Sequence, residues 1–126
     1  MLDVRLTGGA PADGLGAALV VPVAHPLLAG HFPGAPLVPG VLLLDAARRA
    51  WELADGRAAA IAAVPEARWH AAVAPGVEVW LRAAVAPCAE GVCVTGEWAG
   101  PAGRVATFAL VLRPGAPAAH RAPPRP

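Results

Sequence analysis

Apolar and polar positions change rhythm several times along the chain, and each change marks an element. Residues 16–24, GAALVVPVA, are apolar and partly β-branched and predict a strand. Pro22 inside this run argues for an edge position or a break. Residues 25–38 carry too much proline and glycine for a regular element. Pro39-Gly40 then opens a predicted helix that runs to about Ala54 and closes at Asp55-Gly56. Its first turn, Val41-Leu42-Leu43-Leu44, is apolar on every face, which predicts a buried helix start. Its second half, Arg48-Arg49-Ala50-Trp51-Glu52, turns polar and is expected to emerge into water.

The remainder reads as strands: Ala58–Ala74, as two strands or one long bent one, then Val77–Val85, Gly91–Trp98 and Arg104–Arg113. Turn signals stand at Pro75-Gly76, Cys88–Glu90 and Gly100–Gly103. Consecutive strands with short connections predict an antiparallel meander. One helix that is apolar all round needs cover, and a curved sheet wrapped around it is the simplest solution, an α+β architecture. Residues 1–113 form the expected domain. Residues 114–126, PGAPAAHRAPPRP, are expected to be a disordered proline-rich tail in which His120 is idle.

Composition sharpens this picture. At 126 residues the chain is one domain by length. With 56% hydrophobic and 15% charged residues it has more apolar surface than a small soluble monomer normally hides, so a second copy is expected to cover part of it. The net charge of +1 and the scattered arginines form no basic stripe, which argues against nucleic-acid binding. No apolar run approaches the ~20 residues that span a bilayer, and MLDVRLTGG lacks a signal pattern, so a cytoplasmic protein is expected. Cys88 and Cys93 flank a short turn and are read as free thiols; without nearby histidines they do not make a zinc site.

Candidate chemistry concentrates in residues 25–50, HPLLAGHFPGAPLVPGVLLLDAARRA. Four prolines and three glycines surround His31, and Asp45 is the one carboxylate in the apolar run that follows. Each has a plain structural alternative. A loop histidine often does no more than bond a backbone carbonyl. Asp45 has Arg48 and Arg49 at i+3 and i+4, a spacing that supports surface ion pairs worth roughly 0.2–0.5 kcal/mol. His25 and His70 read as structural or surface residues, and the four tryptophans as core or interface.

The run Gly30-His31-Phe32-Pro33-Gly34, then Pro36, Pro39-Gly40-Val41 and Asp45-Ala46, resembles the active-site segment of FabA/FabZ-type 3-hydroxyacyl-[acyl-carrier-protein] dehydratases. These are hotdog-fold proteins, in which an antiparallel sheet wraps one long helix. Ala67-Arg68-Trp69, Val73 and Pro75-Gly76 are similar to the strand after the helix in that family. The compact length and the His-Pro-Leu-Leu lead-in look closest to the aryl-polyene, ApeI-like branch. Three positions depart from the pattern: Asp45 stands where FabZ-like members have glutamate, Arg49 replaces a frequent glutamine, and Leu28 replaces a frequent aromatic residue.

The resemblance implies dehydration of a 3-hydroxyacyl thioester to a 2-enoyl thioester, as in fatty-acid, polyketide or aryl-polyene synthesis. His31 would be the base, an imidazole able to be neutral at working pH and held by its prolines. Asp45 would be the acid, its carboxyl expected to be shifted upward by the surrounding leucines. The Gly40 N–H at the helix start would bind the thioester oxygen, with Phe32, Pro39 and Val41 around the substrate. The resemblance further implies a homodimer, or a trimer of dimers, in which His31 of one subunit meets the acid of the other. It implies acyl carrier protein as partner, with Arg48, Arg49 and Arg68 as candidate contacts, and no metal or organic cofactor. A hotdog thioesterase and a non-catalytic acyl-binding subunit are the competing readings.

Overall fold

The computed structural model describes residues 3–8, 14–22 and 38–117. His25, Leu28, His31, Phe32 and residues 118–126, and with them the expectations placed on those positions, lie outside the described residues. The elements in chain order are β1 (Val4–Gly8), β2 (Leu15–Val20), α1 (Gly40–Asp55), β3 (Arg57–Trp69), β4 (Glu78–Cys88), β5 (Gly91–Gly100) and β6 (Gly103–Pro117). They form one six-stranded sheet in the order β1-β2-β4-β5-β6-β3, with every neighbouring pair antiparallel. This is the sheet-and-helix arrangement that the resemblance implies.

The meander expected for the C-terminal half is present as β4-β5-β6, closed by two-residue turns at Ala89-Glu90 and Pro101-Ala102. β3 does not precede β4 in the sheet but returns to the far side of β6, where it forms an edge. It is a single strand of 13 residues that carries three register shifts, so the bent form of the two expected alternatives is the one adopted. Pro65 lies within it, tolerable because an edge strand has one side without ladder bonds. β2 has neighbours on both sides and ends at Val20, so Pro22 marks a break rather than an edge. β1 lies outside the expected elements, since four alternating residues, Val4-Arg5-Leu6-Thr7, make a weak strand signal. β6 extends through Pro117, four residues beyond the boundary expected at 113 and into the proline-rich tail, because its pairing with β3 continues through Pro114 and Pro117.

The core sits between α1 and the inner face of the sheet. Period-two alternation sends Leu15, Ala17 and Leu19 of β2, Val79 and Leu81 of β4, Val94 and Trp98 of β5, and Phe108, Leu110 and Leu112 of β6 inward. The helix supplies Leu42, Leu43, Ala46, Ala47, Ala50 and Trp51. Trp98 is fully buried, and its Nε1–H donates to the Leu43 carbonyl at 3.0 Å, so one ring both fills the core and registers the helix against β5. The helix ends at Gly56, whose φ of 92° closes the last turn with a backbone bond from its N–H to the Glu52 carbonyl.

The helix is not apolar all round, which corrects the expectation for its first turn. Val41 is 64% exposed. It heads a stripe continued by Asp45, Arg48, Arg49 and Glu52, while the intervening positions are buried. At 100° per residue, three consecutive leucines cannot carry Val41 inward with them.

The polar stripe is tied to the sheet at its lower end. Glu52 Oε2 accepts the Ala59 N–H at 2.8 Å and lies 2.6 Å from Arg48 Nη1, and Oε1 accepts from Arg49 Nη1 at 3.2 Å. Burial works against the Glu52 charge, but the Ala59 amide and the two arginines outweigh it and hold the carboxyl below its ordinary value.

This packing sets two expected outcomes. Trp98→Ala removes a buried ring and its hydrogen bond together, and urea denaturation should register a loss of about 3–5 kcal/mol. A carboxyl lowered on folding stabilises the protein above its unfolded value, about 4.3, and this contribution disappears as pH falls through the folded value beneath it. Between pH 7 and pH 3 the wild type should therefore lose more stability than Glu52→Gln, compared by urea midpoints at each pH.

Candidate active site

The helix start is built from an extended Pro39 (φ −62°, ψ 138°), and among the described residues no side chain caps the first turn. Its first amides therefore lack the usual side-chain partner. The segment ahead of the helix is held by a bond from the Val38 N–H to the Val73 carbonyl at 2.8 Å, which places α1 beside the chain that follows β3.

Trp69, the last residue of β3, lies directly over Gly40. A Cβ built at Gly40 would stand 2.6 Å from Cζ2, 2.7 Å from Cη2 and 2.8 Å from Cε2 of the indole. Any larger residue here would have to displace the Trp69 ring. Trp69 itself is 50% exposed, so one face of its ring covers the helix start and the other faces outward. Two residues that the sequence links only through the resemblance, Gly40 and Trp69, are brought into contact.

Asp45 sits five residues into α1, about 7.5 Å along the axis from Gly40 and one turn below Val41. The expectation of an acid driven into leucines is corrected: its side chain is 51% exposed, because Leu42, Leu43 and Leu44 point to other sides of the helix. Oδ1 accepts a hydrogen bond from Arg48 Nε at 2.9 Å, the i+3 pairing that is the structural alternative for this residue. Burial opposes the charge of Arg48, but Asp45 and Glu52 outweigh it and raise its pKa.

The three arginines considered for carrier contacts are placed unequally. Arg48 is drawn inward between two carboxylates, its side chain 22% exposed. Arg49 is more open and pairs with Glu52, and Arg68 projects from β3 beside Glu66. Sequence reasoning missed Glu52; its spacing of four from Arg48 and three from Arg49 was the available signal. His70 bonds Thr107 at 3.1 Å on the surface, which matches its structural reading. Cys88 and Cys93 are free thiols at the β4–β5 hairpin.

An open groove of about 1130 Å³ crosses the sheet beside Thr7, Glu66, Arg82, Thr95, Glu97 and Thr107, and touches neither Gly40 nor Asp45. Among the described residues no cluster of three or more His, Cys, Asp or Glu is arranged for a metal ion, and no helix is long and apolar enough to cross a membrane.

Known proteins bear on this arrangement in three ways. The FabZ 3-hydroxyacyl-[acyl-carrier-protein] dehydratase of Haemophilus influenzae is 37% identical over 73 residues, 52% of this chain and 49% of that protein. The chain thus spans about half the length of the curated relatives it matches. The dehydratase heterocomplex ApeI:P from Xenorhabdus doucetiae superposes with a TM-score of 0.70 at 14% identity, covering 90% of this chain and 96% of the other. A hypothetical thioesterase with coenzyme A from Streptococcus pneumoniae superposes with a TM-score of 0.66 at 7% identity, covering 91% and 88%. These two likenesses establish the hotdog fold, which dehydratases and thioesterases share. The ApeI-like family model, described as ApeI dehydratase, matches residues 11–95, a span that runs from β2 through the helix start, Asp45 and Trp69 into β5, and the chain belongs to that family.

Proposed function

We propose that the protein is a 3-hydroxyacyl thioester dehydratase, converting its substrate to the trans-2-enoyl thioester and water, with the acyl group carried on acyl carrier protein. The observation that carries this reading is Asp45 on the polar stripe of α1, one turn below the uncapped helix start, in a chain of the ApeI-like family. His31 takes the proton from the carbon beside the thioester carbonyl. Asp45 donates its carboxyl proton to the 3-hydroxyl, which leaves as water, and the proton taken by His31 returns to the Asp45 carboxylate to reset the pair. The Gly40 N–H, at the positive end of the helix dipole, stabilises negative charge on the thioester oxygen. Pro39, Val41 and Phe32 border the substrate, and Trp69 confines it from the β3 side. No metal or organic cofactor enters the reaction, and Arg49 and Arg68 are the more open candidates to meet the carrier.

The working unit in this reading is a homodimer, on its own or within a trimer of dimers. Among the described residues β3 is an edge strand, and Trp69, Val64 and Val41 lie exposed on the surfaces that α1 and β3 present. A second copy seated there would let His31 of one subunit and Asp45 of the other share one site.

The thioesterase reading keeps one specific support. Asp45 is open to solvent on the single chain, as a carboxylate that activates water would be, and thioesterases share the fold. Release of free thiol without enoyl product would favour it. ApeI:P is a heterocomplex, which keeps a third arrangement in view, a chain that works with an unlike partner.

Hydration of a crotonyl thioester, followed by loss of the enoyl absorbance, tests the site. His31→Ala and Asp45→Asn should each lower kcat at least about 100-fold, the range for a lost acid or base. Gly40→Ala should lower it as well, since the new methyl must displace the Trp69 ring. Mixing unfolded His31→Ala and Asp45→Asn chains and refolding them together should restore up to about one quarter of wild-type activity, because half of random dimers are mixed and each holds one intact site. No restoration would exclude a site shared between subunits.

A further inference from the structure

Asp45 is the exposed end of a relay of charges that runs inward to the backbone of β3. Arg48 Nε donates to Asp45 Oδ1 at 2.9 Å, and Arg48 Nη1 lies 2.6 Å from Glu52 Oε2 and 3.4 Å from the Ala59 carbonyl. Glu52 in turn accepts the Ala59 N–H at 2.8 Å. Side-chain exposure falls along the relay from 51% at Asp45 to 22% at Arg48 and 10% at Glu52. An isolated exposed i,i+3 pair gains little because both side chains remain free to move. Here the guanidinium is engaged on two edges at once, and its second partner is clamped to a strand, so its plane is set by the fold and not by the pair.

We propose that Arg48 is a positioning residue for Asp45, anchored by Glu52: it holds Oδ1 as the accepting oxygen, fixes the plane of the carboxyl group, and leaves Oδ2 as the oxygen that carries the proton to the substrate hydroxyl. This rests on Asp45 acting in the dehydration proposed above. The role engages Nε and Nη1 of Arg48 and leaves Arg49 and Arg68 as the more open candidates to meet the carrier. It also gives the second half of α1 a task beyond solvation, because Glu52 and the Ala59 peptide brace an acid two turns away. A misplacement near 1 Å at a reacting group costs up to about 100-fold in rate, so a brace of this kind has catalytic consequence without touching substrate.

The test uses the full-length protein and a 3-hydroxybutyryl N-acetylcysteamine thioester, which needs no carrier. Arg48→Gln should lower kcat about 10- to 100-fold with KM changed less than about 2-fold, and Glu52→Gln should lower kcat less, in the same direction. Arg48→Lys keeps the charge but not the fork and should fall between Arg48→Gln and wild type. Circular dichroism and the thermal midpoint confirm that each variant is folded under assay conditions. If Arg48→Gln does not fold, the comparison of Arg48→Lys with Glu52→Gln carries the test. In the double variant Asp45→Asn/Arg48→Gln the rate should equal that of Asp45→Asn alone, because a residue acting only through Asp45 has nothing left to position. Full additivity in that cycle, or an Arg48→Gln kcat equal to wild type while Asp45→Asn is inactive, overturns the inference alone. An Asp45→Asn enzyme with wild-type kcat instead overturns the proposed function, and the inference with it.

Discussion

Everything at the site depends on how α1 is seated against the inner face of the sheet. Leu42, Leu43, Ala46, Ala47, Ala50 and Trp51 are withdrawn from water in one cluster with Val4, Leu19, Leu81, Trp98, Leu110 and Leu112 of the sheet, and Ala59 and Ile61 of β3 pack against it. Burial of large apolar side chains supplies about 1.5–3 kcal/mol each but is non-directional, and would allow the helix to slide or turn. The bond from the Trp98 indole to the Leu43 carbonyl is directional and sits inside that packing. It fixes rotation and register together, and so decides where Gly40 and Asp45 emerge.

A helix seated this way has two kinds of work. Its apolar face holds the sheet, and its polar stripe carries the candidate acid. The two are compatible because the stripe is narrow and its charges compensate one another: Asp45 and Glu52 bracket Arg48, and Arg49 closes on Glu52. Charges this close to a core carry a desolvation cost, which is offset only when each has a partner and the hydrogen-bonding geometry is good. Among the described residues no buried side-chain nitrogen or oxygen is left without a partner.

The fold itself does not select the reaction. A hypothetical thioesterase at 7% identity and a dehydratase at 14% both share the sheet and its central helix with this chain. The side chains presented at the helix start and along its open face are not fixed by the fold. In this chain those are Asp45 braced by Arg48, and a glycine under the Trp69 ring.

The sequence by itself determined the α+β class, the helix boundaries near Gly40 and Asp55, the β4-β5-β6 meander and the family motif. These are written in local signals: Pro39-Gly40, Asp55-Gly56, the turn residues between strands, and residue types at fixed spacing within one stretch. It did not determine that β3 crosses to the far side of β6, that Val4–Gly8 forms a strand, or that β6 continues through Pro117, because strand pairing joins residues far apart in the chain. Nor did it determine the surroundings of Asp45. Sequence neighbours suggested burial among leucines, whereas the rotation of the helix, set by the sheet, turned those leucines inward and Asp45 outward. Composition and spacing report what a residue stands next to along the chain. Only the packed helix decides which of those neighbours it faces.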